Sequence, residues 1–80
     1  MDDREIHRHI DELVTEEHHL ERAHAGEGLA AEEQARLADL GVQLDRYWDL
    51  LRQRDARRSA GKDPDAAQLR GANVVEGYRQ

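Results

Sequence analysis

The chain has no cysteine and no phenylalanine, a single proline, and only three aromatic rings, Tyr47, Trp48 and Tyr78, in eighty residues. Without thiols there is no disulfide framework, no thiolate zinc site and no cysteine nucleophile. Large aliphatic side chains are scarce too: two Ile, nine Leu and four Val is a share at which disorder competes with folding unless the arrangement concentrates them. The opening Met1-Asp2-Asp3-Arg4-Glu5 lacks the basic flank and apolar stretch of a secretory signal. No apolar run approaches the roughly 18 residues that span a bilayer. These absences predict a cytoplasmic protein with no membrane association.

Groups for catalysis are equally thin. The hydroxyls of Thr15 and Ser59 are far apart in the chain, and there is no nucleophile elbow, phosphate loop or dinucleotide fingerprint. The sequence therefore predicts no enzyme activity and no cofactor. What it has in quantity is charge, eighteen acids against twelve bases for a formal net charge of −6. The charge is unevenly divided. Residues 1–40 carry twelve acids and four bases, and residues 41–80 carry six acids and eight bases.

The aliphatic residues follow a three-and-four rhythm. Ile6, Ile10, Leu13 and Leu20 share a stripe with Glu17 and His24, and Leu37, Leu40, Leu44, Tyr47 and Leu51 form a second one. This predicts helix 1 over about residues 3–25 and helix 2 over about 30–59. Asp2 followed by Glu5 gives a capping-box start. Gly26 and Gly28 mark the break, and Gly61 the finish of helix 2. A short loop between two helices makes an antiparallel hairpin. If facing residues have numbers summing to about 57, Leu20 meets Leu37, Leu13 meets Leu44, Ile10 meets Tyr47 and Ile6 meets Leu51. At the same offset Arg54 falls opposite Asp3, Arg52 opposite Glu5, and His9 opposite Trp48.

The expected architecture is thus all-α: a coiled-coil-like two-helix hairpin over residues 1–62, then a short third helix and an extended C-terminal tail over 63–80. Asp63-Pro64 supplies the cap and first-turn proline of the short helix, and Val74-Val75 is the one β-leaning stretch. A chain this small commonly needs a second subunit to complete its core, so dimerisation into a four-helix bundle is expected. Val14, Trp48 and Leu50 form a second apolar face for another chain or for the tail, and Val74, Val75 and Tyr78 are the tail's contribution.

Two further groupings have a chemical reading beside a plainer one. Glu16 with His19 and Glu21 with His24 have the Glu-x-x-His spacing of di-metal bundles. Five His and nine Glu in eighty residues produce such pairs at a frequency near chance. Glu21, His24 and Glu33 are the remaining metal candidates, and the composition favours a solvated helix face with His24 near Glu33. Arg52, Arg54, Arg57, Arg58 and Lys62 make a basic cluster that invites a nucleic-acid reading. The negative overall charge and the acids placed opposite by the register favour internal charge matching instead.

The stretch Tyr47-Trp48-Asp49-Leu50-Leu51-Arg52-Gln53-Arg54, with Glu16-Glu17-His18 before it, Gly61-Lys62-Asp63-Pro64 after it and Val74-Val75-Glu76-Gly77-Tyr78 at the end, resembles short actinobacterial proteins grouped as a domain-of-unknown-function family. Their marks are a W-D-L-L-R-Q-R centre, a G-x-D-P turn and a V-E-G-Y ending. The resemblance implies a bacterial cytoplasmic setting and carries no catalytic or ligand assignment. Members often have Ser near the start of the second helix, where this chain has Ala30. The function read from the sequence is a self-associating interaction or structural module; the alternatives are an adaptor that docks another protein through the Trp48 face or the tail, and a metal-binding bundle.

Overall fold

The structure, a computed structural model, describes residues 1–23 and 28–77. Among these residues the protein is all-α. Helix α1 is Asp3–Ala23, α2 is Ala31–Ser59 and α3 is Ala72–Gly77, with one turn of 3-10 helix at Pro64–Ala66. Residues 24 and 25, the expected last positions of helix 1, lie outside the described residues.

Local chemistry sets the helix ends. The Glu5 amide donates to the Asp2 carboxylate at 2.8 Å, and the Glu5 carboxylate accepts from the Asp2 amide, so α1 opens with a reciprocal capping box. At the start of α2 only half of that device exists. The Glu33 carboxylate accepts from the Ala30 amide at 3.1 Å, while the methyl of Ala30 has nothing to offer in return. The other end of α2 closes with a Schellman arrangement: Gly61 takes a φ of 72°, its amide donates to the Arg58 carbonyl at 3.0 Å, and the Lys62 amide donates to the Arg57 carbonyl at 2.8 Å.

Two expectations for the last segment need correction. The short helix forecast after Asp63 is only the single 3-10 turn, capped by the Asp63 carboxylate accepting from the Asp65 amide at 2.9 Å. The tail forecast as extended is helical over Ala72–Gly77. Amides of Val74 and Val75 donate to the Gly71 carbonyl at 3.0 and 3.1 Å, and the turn they close buries Val75, 4% exposed. The β preference of a Val-Val pair is weaker than the burial that one helical turn makes available.

The core joins Ile6 and Ile10 of α1 to Leu44, Leu50 and Leu51 of α2, with Leu13, Val14, Tyr47 and Ala67 packed around them. Leu40 is also fully buried. Contacts between α1 and α2 run in opposite order along the two helices. Asp3 binds Arg54 and Arg58, His9 stacks on Tyr47, and Glu16 binds Arg36. The Asp3–Arg54 contact falls at the expected offset. One rung is shifted: His9 lies flat on Tyr47 (5.2 Å between centroids, 5° between planes), and His7, rather than His9, meets Trp48. No helix of the described residues is long and apolar enough to cross a membrane.

The molecule is long and thin, 51 × 28 × 14 Å across its Cα atoms with a radius of gyration of 15.1 Å. A compact chain of this length has a radius near ~11.6 Å.

Candidate functional site

Trp48 opens the W-D-L-L-R-Q-R segment, and the residues that follow it point to different sides of α2. Leu50 and Leu51 enter the core, and Asp49 and Arg54 are buried polar groups. Trp48 remains 43% exposed, touched edge-on by the His7 ring at 6.1 Å and 79°. Val14, two turns along α1 from His7, is half-buried against the core.

The polar members of the segment hold the C-terminal part of the chain. The Asp49 carboxylate accepts two hydrogen bonds from the Arg70 guanidinium, one of them from Nε at 2.9 Å, and a third from the Gln53 amide at 2.9 Å. Gln53 also donates to the Gln68 carbonyl at 2.9 Å, and Arg46 to the Arg70 carbonyl at 2.9 Å. The Arg70 guanidinium, and secondarily Gln53, hold the Asp49 carboxyl below the usual aspartate range. One turn further on, the 4%-exposed Arg54 donates to Asp3, to the Met1 and Pro64 carbonyls at 2.9 and 3.2 Å, and to Asp65 at 3.0 Å. Asp3 is lowered by its bonds to Arg58 and Arg54, and Arg54 is raised by Asp3. A buried cation among four acceptors is a satisfied structural group rather than a binding surface.

That arrangement reassigns the basic cluster. Arg54 is enclosed. Arg58 pairs with Asp3 at 2.7 Å and Asp55 at 2.8 Å, and Arg57 donates to the Asp63 carbonyl. Arg52 is exposed; its field acts on Asp49, and no ion pair with Glu5 is found among the described residues. Of the four arginines Arg54 is buried, Arg57 half-buried, and Arg52 and Arg58 exposed.

Of the interface candidates, Leu50 and Val75 are buried within the chain, each 4% exposed, while Val74 is 45% exposed on α3. Tyr78 and the metal candidate His24 lie outside the described residues. Glu21 is exposed and Glu33 serves the start of α2. No cluster of three metal-ligating side chains occurs among the described residues. A cleft of about 210 Å³ lies beside the stacked His9 and Tyr47, lined also by Glu12, Leu13, Glu16 and Gln43. Glu16 is already engaged there by both Nε and Nη2 of Arg36.

Sequence reasoning did not single out Asp49, Gln53 and Arg70. The one available signal is an acid set between Trp48 and Leu50 in the middle of a helix, where a charge this close to apolar positions calls for a cation.

A family model described as a protein of unknown function (DUF2630) matches residues 2–80. The chain is 46% identical over 77 residues to uncharacterised proteins of Mycobacterium bovis and Mycobacterium tuberculosis, over 95% of this chain and 88% of each relative. No solved structure matches it.

Proposed function

The chain belongs to this family, proteins of unknown function (DUF2630), and from a membership that assigns no activity we propose a non-catalytic structural module of the bacterial cytoplasm. In this reading α1 and α2 form an antiparallel hairpin, and two hairpins associate as a homodimeric four-helix bundle. The hairpin is supported by the Asp3–Arg54, His9–Tyr47 and Glu16–Arg36 contacts taken in order.

The observation that carries self-association is surplus surface. The chain exposes 5592 Å², whereas a folded monomer of 9.2 kDa exposes about 4,900 Å². The difference, about 700 Å² per chain, is close to the ~800 Å² per partner of a standard interface. Trp48 is the large apolar group on the open side. Sedimentation equilibrium at micromolar concentration is the test: a dimer is expected, and a monomer throughout the range overturns the reading.

The adaptor reading draws on the exposed Trp48 of α2 and the exposed Val74 of α3. Its neighbour Val75 is part of the fold, so a tail that docks elsewhere must do so without leaving α2.

A further inference from the structure

We infer that the face of α2 built by Arg46, Asp49, Gln53 and Arg54 is a docking site for residues 64–77 of a second copy, and that the homodimer forms by reciprocal exchange of this segment. This rests on the self-association proposed above and says which part of the second copy is bound.

Within one chain the segment lies back along α2. The Arg54 guanidinium takes the Pro64 carbonyl and Asp65, Gln53 takes the Gln68 carbonyl, and Arg46 takes the Arg70 carbonyl. Asp49 receives the Arg70 guanidinium, and α3 packs on the same helix with Val75 buried. Between the 3-10 turn and α3, residues 67–71 have neither helical nor strand structure. That stretch is read through its main-chain carbonyls and one arginine, the way a groove reads an extended peptide. The receiving side chains are steadied from within α2: Gln43 accepts from Arg46 at 3.0 Å, and Asp49 accepts from Gln53 at 2.9 Å.

Asp49 decides what can replace the segment. Its side chain is 3% exposed, so an empty site leaves a buried anion without its cation, and the segment departs only against another that brings an arginine to the same place. Residues 64–77 of a second copy bring that arginine, with the same carbonyls and the same valine around it. Exchange therefore keeps these buried contacts, and two-fold symmetry makes each of them twice. Arg54 then joins two chains, holding Asp3 of its own and Asp65 of the second copy.

The connection fixes where the copies meet. Residues 60–63 join α2 to the segment, and four residues span at most about 14 Å. The two-fold axis must pass beside the C-terminal ends of the two α2 helices, which side-by-side α2 helices in a four-helix bundle satisfy. Acids and bases already pair at that end, Arg54 and Arg58 with Asp3, Asp55 and Asp65. Two such ends approach without the repulsion of a single-sign patch.

An equimolar mixture of carbon-13-labelled and unlabelled full-length protein is the test, read by isotope-filtered nuclear Overhauser spectra. Contacts between the Val75 methyls of one copy and α2 of the other are expected. A dimer in which Val75 meets only its own α2 overturns the exchange and leaves self-association standing, whereas a parent protein that sediments as a monomer removes both. Charge reversal supplies a second readout. Asp49→Arg and Arg70→Glu each set like charges in the site, and only exchange between the two variants sets unlike charges together at both sites. Their mixture is expected to associate about tenfold more tightly than either variant with itself. Two folded variants that associate no better mixed than apart overturn the exchange.

Discussion

The guanidinium of Arg70 grips the buried carboxylate of Asp49 across twenty-one residues, the acid 3% and the base 38% exposed at their side chains. The asymmetry of burial makes the two partners unequal. Removing the arginine strands a buried anion, whereas removing the acid releases a cation that water can reach.

Arg70→Ala is therefore expected to lower the unfolding free energy by about 3 kcal/mol, and Asp49→Asn by about 1 kcal/mol. Urea denaturation of the two variants checks the order. Arg70→Lys is expected to recover less than half of the loss, because an ammonium does not reproduce the two-pronged geometry.

Arg54 ties three parts of the chain together, the first residues, α2 and the turn after Asp63. Arg54→Met keeps the length of the side chain and removes all four bonds. A loss of about 2 kcal/mol is expected, with faster proteolytic cleavage around residues 64–70 as the local readout.

Acid should loosen both anchors. Asp3 and Asp49 are held below the ordinary aspartate value of about 3.9 by their arginines. A carboxylate lowered in the folded state stabilises the fold above that value, and this contribution disappears as pH falls through the folded-state pKa. Stability contributed by these two groups is thus flat between pH 5 and 8 and declines below about pH 4. Urea midpoints at pH 7, 5 and 3 measure the decline, and Asp49→Asn is expected to make it shallower.

Ala30→Ser completes the capping box that Glu33 half-forms, by supplying the missing acceptor for an orphan amide at the start of α2. A gain of about 1 kcal/mol is expected, seen as a higher melting temperature. Ala30→Gly serves as the control without a side-chain acceptor.

The helices and their core were legible because they rest on periodicity, which a sequence displays directly. Ile6, Ile10, Leu44 and Leu51 repeat at three and four and are buried together, and Asp2 with Glu5 announces the start of α1. The residues that escaped depend on meetings between distant segments. Val74 and Val75 read as extended because their local preference says so, and only the burial of Val75 on α2 reverses it. Asp49 drew no reading of its own beyond the motif that contains it, because its cation lies in a segment with no period of its own. The one-rung difference between His7 and His9 at Trp48 has a similar source: spacing fixes which stripe a residue occupies more tightly than which neighbour it touches.

The enclosed guanidinium of Arg54 has a consequence for synthesis. Its acceptors come from Met1 and Asp3 at one extreme and from Pro64 and Asp65 at the other, so a nascent chain that has reached only the end of α2 holds a cation still lacking half its partners. That end of the helix pair stays hydrated until residue 65 has left the ribosome, and the turn at Pro64–Ala66 acts as the latch that shuts it.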